Sequence, residues 1–457
     1  MSFELFEYKI EDLGKVITGK TPPSKISDAF SAQGIPFVTP KDMDGRRIID
    51  KTERYLSSLG VEAVRNCLLP QNSIAVSCIG SDMGKTVLLP GESITNQQIN
   101  AIIVDSERFD YKYVYYYLST LQDAFKAIAG GSATPILNKG NFSQFKVSLP
   151  VKLVQNKIAL ILNSLDTKIE VNTEINQTLE QMAEALFKSW FVDFEPVKAK
   201  IAVLEAGGSQ EEATLAAMTA ISGKNADALA VFEREHPEQY AKLKATAELF
   251  PSAMQDSELG EIPEGWELKS FGDVSKCYDK KRIPLSKPQR EKKKGEIPYY
   301  GATSIMDYVD EYIFDGIYLL LGEDGSVIKE SGLPFTQYIW GKSWVNNHAH
   351  VLTGSGSVTT EHLMVFIKQE NIAAYVTGAV QMKLNQKNMN SIPFIFADEA
   401  VNNVFGQRID SIYAVIRAKS EENLTLTNLR DTLLPKLLSG EITLPEAEQS
   451  VSEAENV

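Results

Sequence analysis

The chain carries the same unit twice, and that limits its possible folds more than any single motif does. Sliding the sequence along itself by 247 residues aligns 127–190 with 374–437 without a gap. Ala127/Ala374, Gly131/Gly378, Leu137/Leu384, Asn138/Asn385, Asn141/Asn388, Asn176/Asn423, Leu179/Leu426 and Leu186/Leu433 are identical. Upstream the offset drifts, as insertions within each copy would make it. Asn96 of 96-NQQIN-100 then meets Asn346 of 346-NNHAH-350, Ile35-Pro36-Phe37 meets Ile297-Pro298-Tyr299, and Glu7-Tyr8-Lys9 meets Glu267-Leu268-Lys269.

The back of each copy reads as a long helix with a heptad seam, its apolar residues alternating steps of four and three. In the first copy Ile158, Leu165, Asn172, Leu179 and Leu186 fall on one seam position, and Leu162, Ile169, Asn176, Ala183 and Trp190 on the other. In the second, Phe405, Ile412, Lys419, Leu426 and Leu433 alternate with Ile409, Ile416, Asn423, Arg430 and Leu437. Polar residues sit mid-seam in both. There they can fix register and partner at a cost in stability, or they mark a wet, frayed stretch. From Ile158 to Trp190, at 1.5 Å per residue, the first helix would be a rod roughly 50 Å long. Pro150 and Pro196 bracket it, the second helix ends near Gly440, and Pro435 should kink or end its last turns.

The fronts of the copies are strand-like and turn-rich. Runs such as 73-SIAVSCI-79, 101-AIIVD-105, 317-IYLLL-321 and 336-TQYIW-340 alternate with Gly, Asn and Pro clusters, and 113–128 and 360–375 add one helix-like stretch to each. The expected order is a mixed α/β domain over 1–150, a helix over 151–196, an inserted arm and linker over 197–261, a second α/β domain over 262–396, a second helix over 397–440, and a tail over 441–457. The class is α+β, with the two long helices antiparallel and an internal pseudo-two-fold. The Ala/Glu-rich stretch from Val197 to Pro251 has no counterpart after the second long helix; within it 212–221 and 226–235 read as short amphipathic helices. The tail, with five Glu and no Lys or Arg, is expected to lack fixed structure.

Several function classes drop out. Cys67, Cys78 and Cys277 are odd in number and follow no metal or disulfide spacing, so they read as reduced thiols. No apolar stretch reaches the length of a membrane helix, and the first residues are acidic where a signal peptide would be basic, which points to the cytoplasm. Gly80-Ser-Asp-Met-Gly84-Lys85-Thr86 is one residue too short between its glycines for a phosphate-binding loop, so a β-turn is expected. Thr353-Gly-Ser-Gly-Ser357 lacks the third glycine of a nucleotide fingerprint. His348 and His350 could share a strand face as a metal pair, but with no third ligand nearby a polar edge or DNA-facing loop is favoured. Glu7-x-Lys9 and Glu267-x-Lys269 lack the strand-borne Asp of metal nucleases and fit half-exposed strand starts. The adenine-methylase tetrapeptide is missing. No catalytic residue, bound metal or cofactor is expected.

Four segments carry a resemblance: 257-SELGEIPEGWE-267, 297-IPYYGAT-303, 184-EALFKSWFVDFEP-196 and 428-NLRDTLLPKLLSGEI-442. With the repeat, they make the chain resemble the specificity subunits of type I restriction-modification systems, the HsdS family, over nearly its whole length. The resemblance implies two target-recognition domains, each reading one part of a split, asymmetric site in double-stranded DNA. It also implies the helices as spacer and as docking surface for two methyltransferase subunits, which bring S-adenosylmethionine and adenine-N6 methylation. Two motor-nuclease subunits using ATP and Mg can join. A coiled-coil scaffold that never touches DNA and a fused restriction-methylase are the alternatives. The 197–251 arm is the main departure from the family pattern.

Net charge is −14, unlike a lone DNA binder. Locally the balance reverses: from Lys276 to Glu296 nine Lys/Arg stand against three acids. This stretch, with Lys280, Lys281, Arg282, Lys292 and Lys293, is read as running along phosphates, a solvated loop being the alternative. Lys20, Lys25, Lys41, Arg46, Arg47 and Lys85 are the more scattered candidates in the first domain. For base edges the candidates are Gln98 and His348, which differ at equivalent places, and Thr134 and Gln381 likewise, turn-forming being the alternative for each taken singly; Tyr300 and Thr303, in the shared Ile-Pro segment, are further DNA-contact candidates. The identical Asn138/Asn385 and Asn141/Asn388 are assigned to turns instead.

Overall fold

The computed structural model describes residues 3–129, 136–378 and 381–455. The chain divides into two compact units, Met1–Thr173 with Ser420–Val457, and Glu174–Lys419. Each unit holds one strand-rich domain together with parts of both long helices.

The repeat persists strand for strand. In the first unit, Gly14–Thr18, Ile99–Val104, Ser73–Ser77 and Thr86–Leu89 lie side by side in that order, all antiparallel. Ser73–Ser77 is buried along its whole length, as its unbroken run of small and β-branched residues requires of an interior strand. A second sheet orders Phe30–Ser31, Tyr55–Leu56, Ile35–Val38 and Ile94–Thr95, the last pair parallel. Phe6–Lys9 pairs with Lys146–Leu149, just ahead of the long helix. In the second unit, Ser275–Cys277, Ala349–Gly354, Tyr318–Gly322 and Thr336–Ile339 form the equivalent sheet. Ile305–Val309, Lys294–Tyr300, Lys342–Val345 and Phe314–Asp315 form the second, again with one parallel pair. Glu267–Ser270 pairs with Pro393–Phe396. The two Glu-x-Lys strings thus begin edge pairs, each lysine within 4 Å of an exposed glutamate. The glycine-rich string at 80–86 is a turn between strands. Gly84 has φ +86, and a Cβ there would come within 2.7 Å of the Gln122 backbone.

The long helices run Lys152–Phe187 and Glu399–Ser439. In the first unit Leu162 and Leu165 share a core with Leu426, Leu433 and Leu437, and also with Tyr113 and Tyr116 of the strand-rich domain. In the second, Phe187, Trp190 and Phe191 pack on Phe405 and Ile409. Within each unit the pairing is antiparallel: Asn172 meets Asn423 and Asp166 meets Arg430, while Asn176 meets Ile416. Seam residues Ile169, Leu179, Leu186, Ile412 and Lys419 are half-buried; Ile409, Ile416 and Leu426 are buried.

Four expectations change. The helix over Glu399–Ser439 runs through Pro435 and stops at Gly440, φ +73; proline so near the end forfeits one hydrogen bond, while Leu437 and Leu438 stay buried. The first helix closes instead in a π-turn, Lys188–Val192, followed by Phe194 in the left-handed region, and Pro196 opens the next helix, Glu195–Glu205. The tail is not structureless: Leu444–Glu455 is helical and Ala447 is buried in the first unit's core. Like Glu195–Glu205, it follows a long helix and has proline as its second residue, so that part of the arm has a counterpart after all. Finally, the stretch 113–128 is two helices, Tyr111–Ser119 and Gln122–Ile128. The rest of the arm is helical at Gln210–Ser222, Ala226–Glu235 and Pro237–Leu249, with Ala217, Met218, Leu229 and Ala247 in the second unit's core.

Candidate nucleic-acid interface

Both units build the same hydrogen-bonded frame under different side chains. In the first, the Asn96 N–H donates to Val38 O and the Gln98 N–H to Asn96 Oδ1. In the second, Asn346 donates to Tyr300 O and His348 to Asn346 Oδ1. Next, Cys78 N–H bonds Gln98 O and Leu137 N–H bonds Cys78 O; their counterparts are Glu323 to His348 and Leu384 to Glu323. Asn138 and Asn385 each cap a short helix, accepting from the N–H of Asn141 and Asn388 at 2.9 Å. Identity between copies therefore marks the frame. Difference marks what the frame presents.

Beneath the loop the copies diverge in charge. Asn100 donates its Nδ2 to Leu137 O and accepts from Thr18 Oγ1 in the first unit. Its counterpart His350, 1% exposed, places Nε2 2.7 Å from Leu384 O and Nδ1 2.5 Å from Asp279. Arg282 bridges Asp279 at 3.3 Å, Glu323 at 2.7 Å and Ala349 O. Burial pushes the Asp279 carboxyl up, but His350, the Val351 N–H and Arg282 outweigh it and leave its pKa below the usual value. Cys277 stands beside Asp279 and His350 with ligand atoms within 4.8 Å. Burial drives that thiol up to about 12, and both nitrogens of His350 are already committed, so these residues fit a polar strut better than a metal. His350 and His348 consequently part company, one buried and one exposed.

The basic candidates divide in two. Lys20, Lys25, Lys41, Lys280, Lys281 and Lys292 are exposed, Lys281 lying over the Tyr278 ring. Others are held inside their own unit. Arg47, 11% exposed, pairs with Asp166 and Glu170 of the long helix and donates to Asn163 and Tyr116. Burial works against its charge, yet Glu170, Tyr116 and Asp166 raise its pKa above the usual value. This residue rivets the strand-rich domain to its helix and is withdrawn as a phosphate contact. Arg282 is withdrawn for the same reason. Arg46 pairs with Asp44 and Asp50, Lys85 with Asp82, and Lys293 with Glu311. Tyr300 is half-buried and packs against the Phe314 cluster, so it too is withdrawn as a DNA contact.

Three DNA-contact candidates meet, two of them base-edge candidates. Thr303, His348 and Gln381, from three separate segments, line one cleft of about 340 Å³. Asp324, which the sequence reading missed, stands among them: Gln381 Nε2 donates to it at 2.9 Å, and His348 Nδ1 is 4.0 Å away. In the repeat it corresponds to Ile79, since the bridges Ile79–Ile136 and Asp324–Lys383 are equivalent. Carrying the alignment through that divergent front would have exposed it. Gln98 is half-buried and accepts from Asn96 Nδ2 at 3.1 Å. Thr134 lies outside the described residues.

Residues 4–181 and 263–427 match the family model described as type I restriction modification DNA specificity domain. The unmatched stretch between them, 182–262, holds the arm and the end of the first long helix. The chain is 33% identical over 349 residues to the type I restriction enzyme HindI specificity subunit of Haemophilus influenzae, spanning 70% of this chain and 74% of that one. To the MjaIX specificity subunit of Methanocaldococcus jannaschii it is 24% identical over 462 residues, 96% and 93% of the two chains. The fold is that of the S subunit of a type I restriction-modification system from M. genitalium, with TM-score 0.51 at 15% identity over 95% of this chain and 96% of that one. No helix among the described residues is long and apolar enough to cross a membrane. Two copies of one frame, presenting different polar side chains and matching the family model twice, mark the chain as a member of the family of type I restriction-modification DNA specificity subunits.

Proposed function

We propose that each strand-rich domain reads one part of a split, asymmetric site in double-stranded DNA. The chain itself carries out no bond-making chemistry. Two methyltransferase subunits dock on it and supply S-adenosylmethionine-dependent adenine-N6 methylation; two motor-nuclease subunits add ATP- and Mg-dependent cleavage; the assembly works in the cytoplasm. One observation carries the reading: the frame around Asn96 and Asn346 is conserved between copies to the level of single hydrogen bonds, while the residues it fixes at the equivalent place, half-buried Gln98 and exposed His348, differ. A protein needing two unlike readers on one scaffold would be built this way.

The test is to co-express the chain with its methyltransferase subunit in a cell lacking adenine methylation and map N6-methyladenine across the genome. A single bipartite, asymmetric motif is expected, and exchanging 262–396 for the same region of a relative should change one half only. Soluble complex without any motif would refute the reading.

A further inference from the structure

The cleft of Thr303, His348 and Gln381 contains a feature that fixes what it can read. A carboxylate only accepts hydrogen bonds. The Gln381 atom facing Asp324 Oδ1 at 2.9 Å is therefore its NH2 group, whichever way the amide would otherwise turn. With Nε2 anchored, Oε1 points away from Asp324 as an acceptor, and the second Nε2 hydrogen remains a donor beside it. An acceptor next to a donor complements the N6 amino group and N7 of adenine on the major-groove edge. It mismatches guanine, which offers O6 and N7, two acceptors. Asp324 is itself held, because Gly325 N–H bonds Met382 O and the backbone of Asp324 bridges Lys383. Gln381 and its anchor thus sit on adjoining, mutually bonded segments.

We infer that Asp324 is a positioning residue that locks the Gln381 amide, so that the second unit's half-site contains an A·T pair read by Gln381. This rests on the cleft being a DNA-reading surface, and the experiment separates the two claims.

Gln381→Ala, Asp324→Ala and Asp324→Asn would each be co-expressed with the methyltransferase subunit and their methylation motifs mapped beside the parent's. Asn retains an acceptor oxygen that can turn toward Gln381; Ala retains none. The expected result is that Gln381→Ala and Asp324→Ala relax the same single position, an A·T pair in the half set by 262–396. Preference there should fall roughly ten-fold, and Asp324→Asn should keep the parental motif. The other half-site is the internal control for folding, since a merely destabilised chain lowers methylation at every site without changing the motif. If Gln381→Ala leaves the motif intact, the cleft is not a reader. If Gln381→Ala relaxes a position but Asp324→Ala does not, or the relaxed position is a G·C pair, or Asp324→Asn relaxes it equally, the lock is refuted while the reading of the cleft stands.

Discussion

Among single residues, His362 sits in the least ordinary surroundings. It is fully buried among Phe187, Phe191, Phe394 and Phe405, and neither ring nitrogen has a hydrogen-bond partner among the described residues. Burial drives its pKa down to about 3. The unfolded chain, with histidine near 6.5, then binds a proton that the folded chain refuses, so stability falls as pH drops below about 6.5. Between pH 7 and 5 the loss is about 2 kcal/mol. Asp410, raised to about 6 by burial and the neighbouring Glu361, slopes the opposite way, so the histidine is read from a difference. Urea denaturation of the parent and of His362→Leu at both pH values should show the parent losing about 2 kcal/mol more; equal losses would mean that water reaches the ring. Legibility also divides at this scale. The caps Asn138 and Asn385 were readable because their partners lie three residues on. Arg46 and Arg47 looked alike in sequence, and only partners on a distant stretch of the chain, Asn163, Asp166 and Glu170, withdraw one of them from the surface.

Elements were legible where a period runs long. The heptads were enough to find both long helices, because a 3.5-residue repeat over many turns has few alternative explanations. Their ends were not, since a proline in the last turn and a π-turn are decided by the packing around them. The sequence left open whether the polar seam centre was wet or specifying. In the first unit Asn172 is 1% exposed and donates to Asn423 Oδ1 at 3.0 Å, while Asn423 Nδ2 reaches Ile169 O and Thr173 Oγ1. A pair with one partner buried, the other half-buried and both bonded costs little while intact and much when halved. Asn172→Ala should destabilise by about 1–3 kcal/mol in urea denaturation. Asn172→Leu with Asn423→Leu should recover that loss or exceed it, because two apolar side chains replace a desolvated pair. A single substitution without effect would return the seam to the wet alternative.

For the whole molecule the difficulty is binding a polyanion with a net charge of −14. The excess acid is not spread evenly: 200–265 holds twelve Asp and Glu against five Lys and Arg, in and beside the arm that the family model leaves unmatched. Of the nine cations from Lys276 to Glu296, Arg282, Arg290 and Lys293 are consumed by Glu323, Asp307 and Glu311. Lys280, Lys281, Lys287 and Lys292 are exposed and in no ion pair among the described residues. So local basicity overstates what the loop can give to phosphates, which composition alone could not reveal. Each phosphate contact contributes about 0.9 to the slope of log K against log salt. In the complex with the methyltransferase subunit, Lys280→Ala and Lys292→Ala should each shallow that slope by about 1 and leave the methylation motif unchanged. Arg282→Ala should instead lower thermal stability, because it leaves Asp279 and Glu323 without their cation. The isolated chain should bind DNA weakly even at low salt, its own charge opposing approach. Nanomolar specific binding by the chain alone would show that these few lysines suffice, and that the partners are not needed to neutralise the phosphates.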